Sequence, residues 1–113
     1  MSLQKELTVI GSGVVGNNQG IGVFVASIID PGKGRWRIWG NCRHTQPDAV
    51  RLRIGATVII ARIPSPALDM TSFGPITVDI VNTTDDIILD LATATGAAET
   101  SSGIIYAERV SPL

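Results

Sequence analysis

Short runs in which every second residue is apolar cover most of this chain, each bounded by Gly, Pro, Asn or Asp. The clearest is Arg35 to Arg43. Trp36, Ile38, Gly40 and Cys42 fall on one face of it, and Arg35, Arg37, Trp39, Asn41 and Arg43 on the other. Val50, Leu52 and Ile54 alternate with Arg51 and Arg53. Ile76, Val78 and Ile80 alternate with Thr77 and Asp79, and Ile87, Leu89 and Leu91 with Ile88, Asp90 and Ala92. Leu7 to Val15 and Ile21 to Ile29 are rich in Val and Ile, as buried strands are. Thr57 to Ile63 and Gly103 to Val110 complete a set of about eight strands of ordinary length. No uninterrupted helical stripe with caps occurs in any window of roughly 12 residues.

Apolar faces of this kind are buried by packing two antiparallel sheets or by closing one sheet into a barrel. The pattern predicts an all-β chain, an antiparallel sandwich of about eight strands, jelly-roll-like, with an open Greek-key barrel as second choice. Residues 1–113 form a single domain in this reading, with residues 1–6 a flexible N-terminal arm. Asp30-Pro31-Gly32-Lys33-Gly34 and Asn82 to Asp86 read as turns, since Pro presets φ, Gly supplies positive φ, and Asn and Asp bond their own backbone. Pro64 to Pro75 has three prolines and no alternation, and reads as a long exposed loop of the kind that often carries function. Ala94 to Ser102 reads as a loop of small residues.

With 113 residues the chain has no room for a second catalytic or cofactor domain. An apolar fraction of 44% argues against disorder. No apolar run approaches the ~18 residues that span a bilayer, and Met1 to Glu6 lacks the apolar stretch of a signal peptide. The expectation is a soluble domain with no membrane partner. Cys42 is the sole cysteine, so no internal disulfide supports the fold. The net charge of −1 conceals a division: residues 1–62 carry +5 and residues 63–113 carry −6. Either the chain is dipolar and docks on copies of itself or on a partner of mixed charge, or the two signs interleave once the strands pair.

Candidate chemistry is sparse. Gly11-Ser12-Gly13-Val14-Val15-Gly16 is a formal GxGxxG, but a dinucleotide site needs that turn to open a helix. Here Gly20, Gly22 and a β-branched run follow, which oppose a helix. Cys42 and His44 share a strand face, yet two ligands are too few for a structural zinc site. Cys42 reads as a small inward residue and His44 as a surface residue at a strand end. Asp85 and Asp86 read as turn residues and Asp90 as an outward strand position, short of the six to eight oxygens of a calcium site. No nucleophile elbow accompanies His44. The reading is non-enzymatic, with no catalytic residue, metal or cofactor.

The arginines say more. Arg35, Arg37 and Arg43 surround Trp39 on one strand face, and Arg51 and Arg53 share a face of the next strand. Such a set suits a solvated face, a protein interface or single-stranded nucleic acid. A pI near 5.6 and a single aromatic in the patch weigh against nucleic acid.

The segments Gly32 to His44 (GKGRWRIWGNCRH), Phe73 to Ile80 (FGPITVDI) and Ser102 to Val110 (SGIIYAERV), with the small size and low aromatic content, resemble the small jelly-roll decoration, or cement, proteins of tailed bacteriophage heads. The resemblance implies a virion structural protein that is a dimer or trimer and sits on the outer capsid surface. Its partner would be the major capsid protein, whose capsomers it bridges. Under it, Arg35, Arg37, Trp39, Arg43, Arg51 and Arg53, together with Pro64, Pro66 and Phe73, are candidate interface residues. The alternative is a β-sandwich module that binds single-stranded nucleic acid or carbohydrate.

Overall fold

The computed structural model describes residues 8–16, 24–44, 49–64, 70–92 and 100–113, with 8–16, 24 and 100 described by their backbone. Eight strands run in chain order: β1 (Thr8–Gly16), β2 (Phe24–Ile28), β3 (Gly34–His44), β4 (Val50–Ile54), β5 (Thr57–Ile60), β6 (Thr71–Ile80), β7 (Ile87–Leu91) and β8 (Thr100–Ser111). The arm expected at residues 1–6, Pro66 and most of the Ala94–Ser102 loop lie outside the described residues.

The strands form two four-stranded sheets, β1-β8-β3-β6 and β2-β7-β4-β5. All pairings are antiparallel and nested: β1 with β8, β2 with β7, β3 with β6, β4 with β5. The chain behaves as one long hairpin, closed at Gly55-Ala56 and rolled so that β8 also pairs with β3 and β7 with β4. That is a jelly-roll sandwich, as the alternation predicted.

The inward rows form the core. Trp36, Ile38 and Cys42 from β3, Ile105 and Ala107 from β8, and Phe73 and Ile80 from β6 face Val50, Leu52, Ile87, Leu89 and Leu91 of the other sheet. At the tip of the buried Trp36 ring, Nε1 donates to the Gly32 carbonyl at 3.0 Å, which ties the β2–β3 turn to the core. Gly40 lies opposite Phe73. A Cβ there would run into the Ile104 carbonyl oxygen and stand 2.8 Å from the Phe73 ring, so only glycine lets that ring lie over β3.

Two local expectations change. His44 is fully buried, because it continues the inward row of Trp36, Ile38, Gly40 and Cys42. The strand before Asn82 begins at Thr71 rather than Ile76, so the second half of the supposed Pro64–Pro75 loop is β6. Pro75 is tolerated there because β6 is an edge strand and the ladder shifts between Ile38 and Gly40, setting Gly74-Pro75 against Trp39 alone. Gly11 to Gly16, the formal nucleotide motif, lies wholly inside β1, paired residue by residue with β8. Asp85 and Asp86 do serve the turn. Asp85 N–H donates to the Asn82 carbonyl, the Asp86 carbonyl accepts from Gly55, and the Asp86 carboxylate accepts from Asp30 N–H at 2.9 Å.

Gly40→Ala should cost ~1–3 kcal/mol in urea unfolding, as overpacked cores do. Burial pushes the Cys42 thiol up to about 11 from 9.0. Its folded pKa is the higher one, so its contribution to stability is full below about pH 9 and is lost as pH rises toward 11. The difference in unfolding free energy between the wild type and Cys42→Ala, followed from pH 7 to 11, should fall across that window.

Candidate functional site

The outer face of the β1-β8-β3-β6 sheet gathers the most chemistry. Alternation fixes which side chains of β3 reach it: with Trp36 and Ile38 in the core, Arg35, Arg37 and Arg43 are exposed and Trp39 and Asn41 half-buried. Trp39 lies opposite Tyr106 of β8, and the rings stack with centroids 5.7 Å apart and planes inclined by 14°. On the other flank of β3, toward β6, Arg37, Trp39 and Pro75 line an open depression of about 250 Å³. Trp39 thus stands between an aromatic neighbour and a hollow bordered by a proline.

Two ion pairs flank this centre. Arg35 reaches across to Asp79 of β6, Nε to Oδ1 at 2.8 Å and Nη2 to Oδ2 at 3.3 Å. The hydrogen bond from Arg35 holds the Asp79 carboxyl below its usual range. Arg37 Nη2 donates to Glu108 Oε1 of β8 at 2.8 Å. Ser72 Oγ bonds Asn41 Oδ1 at 2.8 Å. The basic strand is flanked by acidic neighbours, so among the described residues Arg35 and Arg37 of the basic half meet Asp79 and Glu108 of the acidic half. These pairs are exposed and contribute little to stability. They set two paired charges beside the stacked Trp39 and Tyr106 rings, with exposed Arg43 farther along β3.

Arg51 and Arg53 belong elsewhere. They extend from β4 on the opposite sheet and close over Asp90 of β7, Arg51 Nε to Oδ1 and Arg53 Nε to Oδ2, both at 2.7 Å. Arg53 also donates to the Gly55 carbonyl through Nη1. Asp90 has the outward position that alternation expects, yet its side chain is 0% exposed, against 24% and 18% for the two arginines. Its hydrogen bond raises the Arg51 pKa. This cluster holds β4 to β7. Among the described residues no group of three or more His, Cys, Asp and Glu side chains is placed to hold a metal ion.

The sequence matches no family model, and no curated protein matches it. Among solved structures it is similar to a chain of the acidic stable capsid of Helicobacter pylori bacteriophage KHP30. That likeness has a TM-score of 0.50 at 9% identity and covers 90% of this chain and 87% of that one. It is also similar to the C-terminal CBM6 of LamC, a marine laminarinase from Zobellia galactanivorans, with TM-score 0.49 and 14% identity over 91% of this chain and 100% of that one. A family 35 carbohydrate binding module from Clostridium thermocellum follows, with TM-score 0.44 and 13% identity over 91% and 93%. At these identities the capsid chain's likeness concerns the fold.

Of the residues singled out in the sequence, the structure brings Arg35, Arg37, Trp39 and Arg43 onto one face. Arg51 and Arg53 lie on the other sheet, Pro64 is exposed after β5, and Phe73 is in the core at 6% exposure, under Gly40 rather than on the surface. Tyr106, Pro75, Asp79 and Glu108 join the face unannounced. Tyr106, Asp79 and Glu108 have the right strand parity in the sequence and Pro75 fell in the expected loop, but only the β8-β3-β6 order makes them neighbours of β3's outer row.

Asp90→Ala should destabilise the fold by about 2–3 kcal/mol in chemical unfolding, below a fully buried pair because both arginines retain contact with water. Arg35→Ala should leave the same unfolding curve unmoved.

Proposed function

We propose that this protein is a non-enzymatic virion structural protein, a decoration or cement protein. In this reading it is made in the host cytoplasm and binds the outer surface of a phage head, where it stabilises contacts between capsomers. It meets the major capsid protein through the outer face of the β1-β8-β3-β6 sheet. The observation that carries the reading is the Trp39–Tyr106 pair beside the Arg37–Trp39–Pro75 depression, flanked by two ion pairs. Trp, Tyr and Arg are the residue types that anchor protein interfaces, and a rim of paired charges gives register without attracting a polyanion. The jelly-roll likeness to a capsid chain along nearly the whole of both chains supports the same reading. Nucleic acid fits less well, because Arg35 and Arg37 are already engaged by Asp79 and Glu108 and Arg51 and Arg53 by Asp90.

A carbohydrate ligand is the second reading, favoured by the half-buried Trp39 ring bordering an open hollow beside a guanidinium. A glycan array separates the two: selective binding to one sugar class, lost in Trp39→Ala, moves the function there.

The first test is the protein composition of purified particles, with this chain quantified against the most abundant shell protein. A fixed, high copy ratio is expected; absence from particles while the cell extract contains the chain removes the capsid role. The double substitution Arg37→Ala with Trp39→Ala should then cut particle occupancy at least tenfold while leaving the circular dichroism spectrum unchanged. Undiminished occupancy at equal stability removes that face from the contact.

A further inference from the structure

A sandwich of two open sheets has four edge strands, here β1 and β6 in one sheet and β2 and β5 in the other. An open edge offers unpaired N–H and C=O groups to any passing strand, and natural proteins blunt it by shortness, bulges, proline or charge. Three of these edges are blunted. β6 has the Gly74-Pro75 bulge and the outward Asp79; β2 and β5 have five and four residues and each carries a register shift. β1 has none of these devices. It runs nine residues, Thr8–Gly16, without charge or proline, in unbroken register with β8. Its far side is without a partner strand among the described residues.

The sequence of β1 also says what would fit there. Read outward from Ser12 in both directions, Gly11 matches Gly13, Ile10 matches Val14 and Val9 matches Val15. Laid antiparallel on itself about residue 12, the strand sets glycine against glycine and β-branched residue against β-branched residue from Val9 to Val15, with Thr8 meeting Gly16 only at the ends. Like faces stay together, because the paired positions have the same parity. A two-fold contact puts residue i on j wherever it puts j on i, so a strand whose residues match on either side of its centre meets its own copy with like sizes paired. A different protein's strand would have no need of it.

We propose that β1 of one copy pairs with β1 of a second copy about a two-fold axis at Ser12, joining two four-stranded sheets into one of eight strands. The axis is perpendicular to the joined sheet, so both Trp39–Tyr106 faces look the same way. Across the joined sheet the two β3 strands that carry Trp39 are five strand spacings apart, about 24 Å. One dimer thereby presents two docking faces to a surface, and the second engages at high effective concentration. The contact itself stands on β1 alone and is independent of the capsid reading.

Sedimentation equilibrium on the full chain tests it. The wild type should be a dimer. Ser12→Lys and Ser12→Glu each set a charge against its own copy, and each should weaken the dimer roughly tenfold or more with unchanged circular dichroism. An equal mixture of the two variants should recover a dimer, because Lys then faces Glu. A monomeric or trimeric wild type, a variant that dimerises as the wild type does, or a mixture that stays monomeric overturns the proposal. Should either variant fail to fold, hydrogen exchange on the wild type decides. Amides of residues 8–16 should gain protection as protein concentration rises, and protection independent of concentration refutes the pairing. A monomer would leave the capsid role to be judged on particle composition.

Discussion

Trp36, Ile38 and Cys42 reach the core only if Arg35, Arg37, Trp39 and Arg43 stand outside, because successive strand residues point to opposite faces. This parity of β3 is the constraint on which the rest depends. β3 is the one strand of its sheet with a long partner on both sides that also holds a core tryptophan. Slipping it by one residue would put three arginines into the apolar layer and Trp36 into water. The register is therefore held by burial, with hydrogen bonds following.

The same constraint builds the candidate site. Once β3 is fixed, its neighbours β6 and β8 decide what its outer row meets, and they bring Asp79 and Glu108 to Arg35 and Arg37, and Tyr106 and Pro75 to Trp39. A strand that looked basic in isolation becomes part of a surface on which two of its arginines are paired with carboxylates. The opposite sheet resolves its charges differently. There Asp90 is covered by Arg51 and Arg53, and the ions hold two strands together.

Glycines and one proline make this geometry reachable. Gly40 gives Phe73 its place against β3, and Gly74-Pro75 supplies the extra residue that swings β6 past Trp39. The bulge that relieves the ladder also supplies Pro75 to the lining of the Arg37–Trp39–Pro75 depression.

By itself the sequence determined the class of fold, nearly every strand, the inward and outward rows of β3 and β4, and the turns at Asp30–Gly34 and Asn82–Asp86, because alternation and turn chemistry are local. It also assigned Cys42 to the core and left open whether the two charge signs interleave. Tertiary structure decided the rest. It carried β6 back to Thr71, since a proline in a strand is tolerable only at an edge with a bulge, and edges exist only after the sheets assemble. It buried His44 and Asp90, gathered Tyr106 and Pro75 around Trp39, and separated Arg51 and Arg53 from the other arginines. Strand order is set by contacts between residues far apart in the chain, and no local pattern encodes which strand lies beside which.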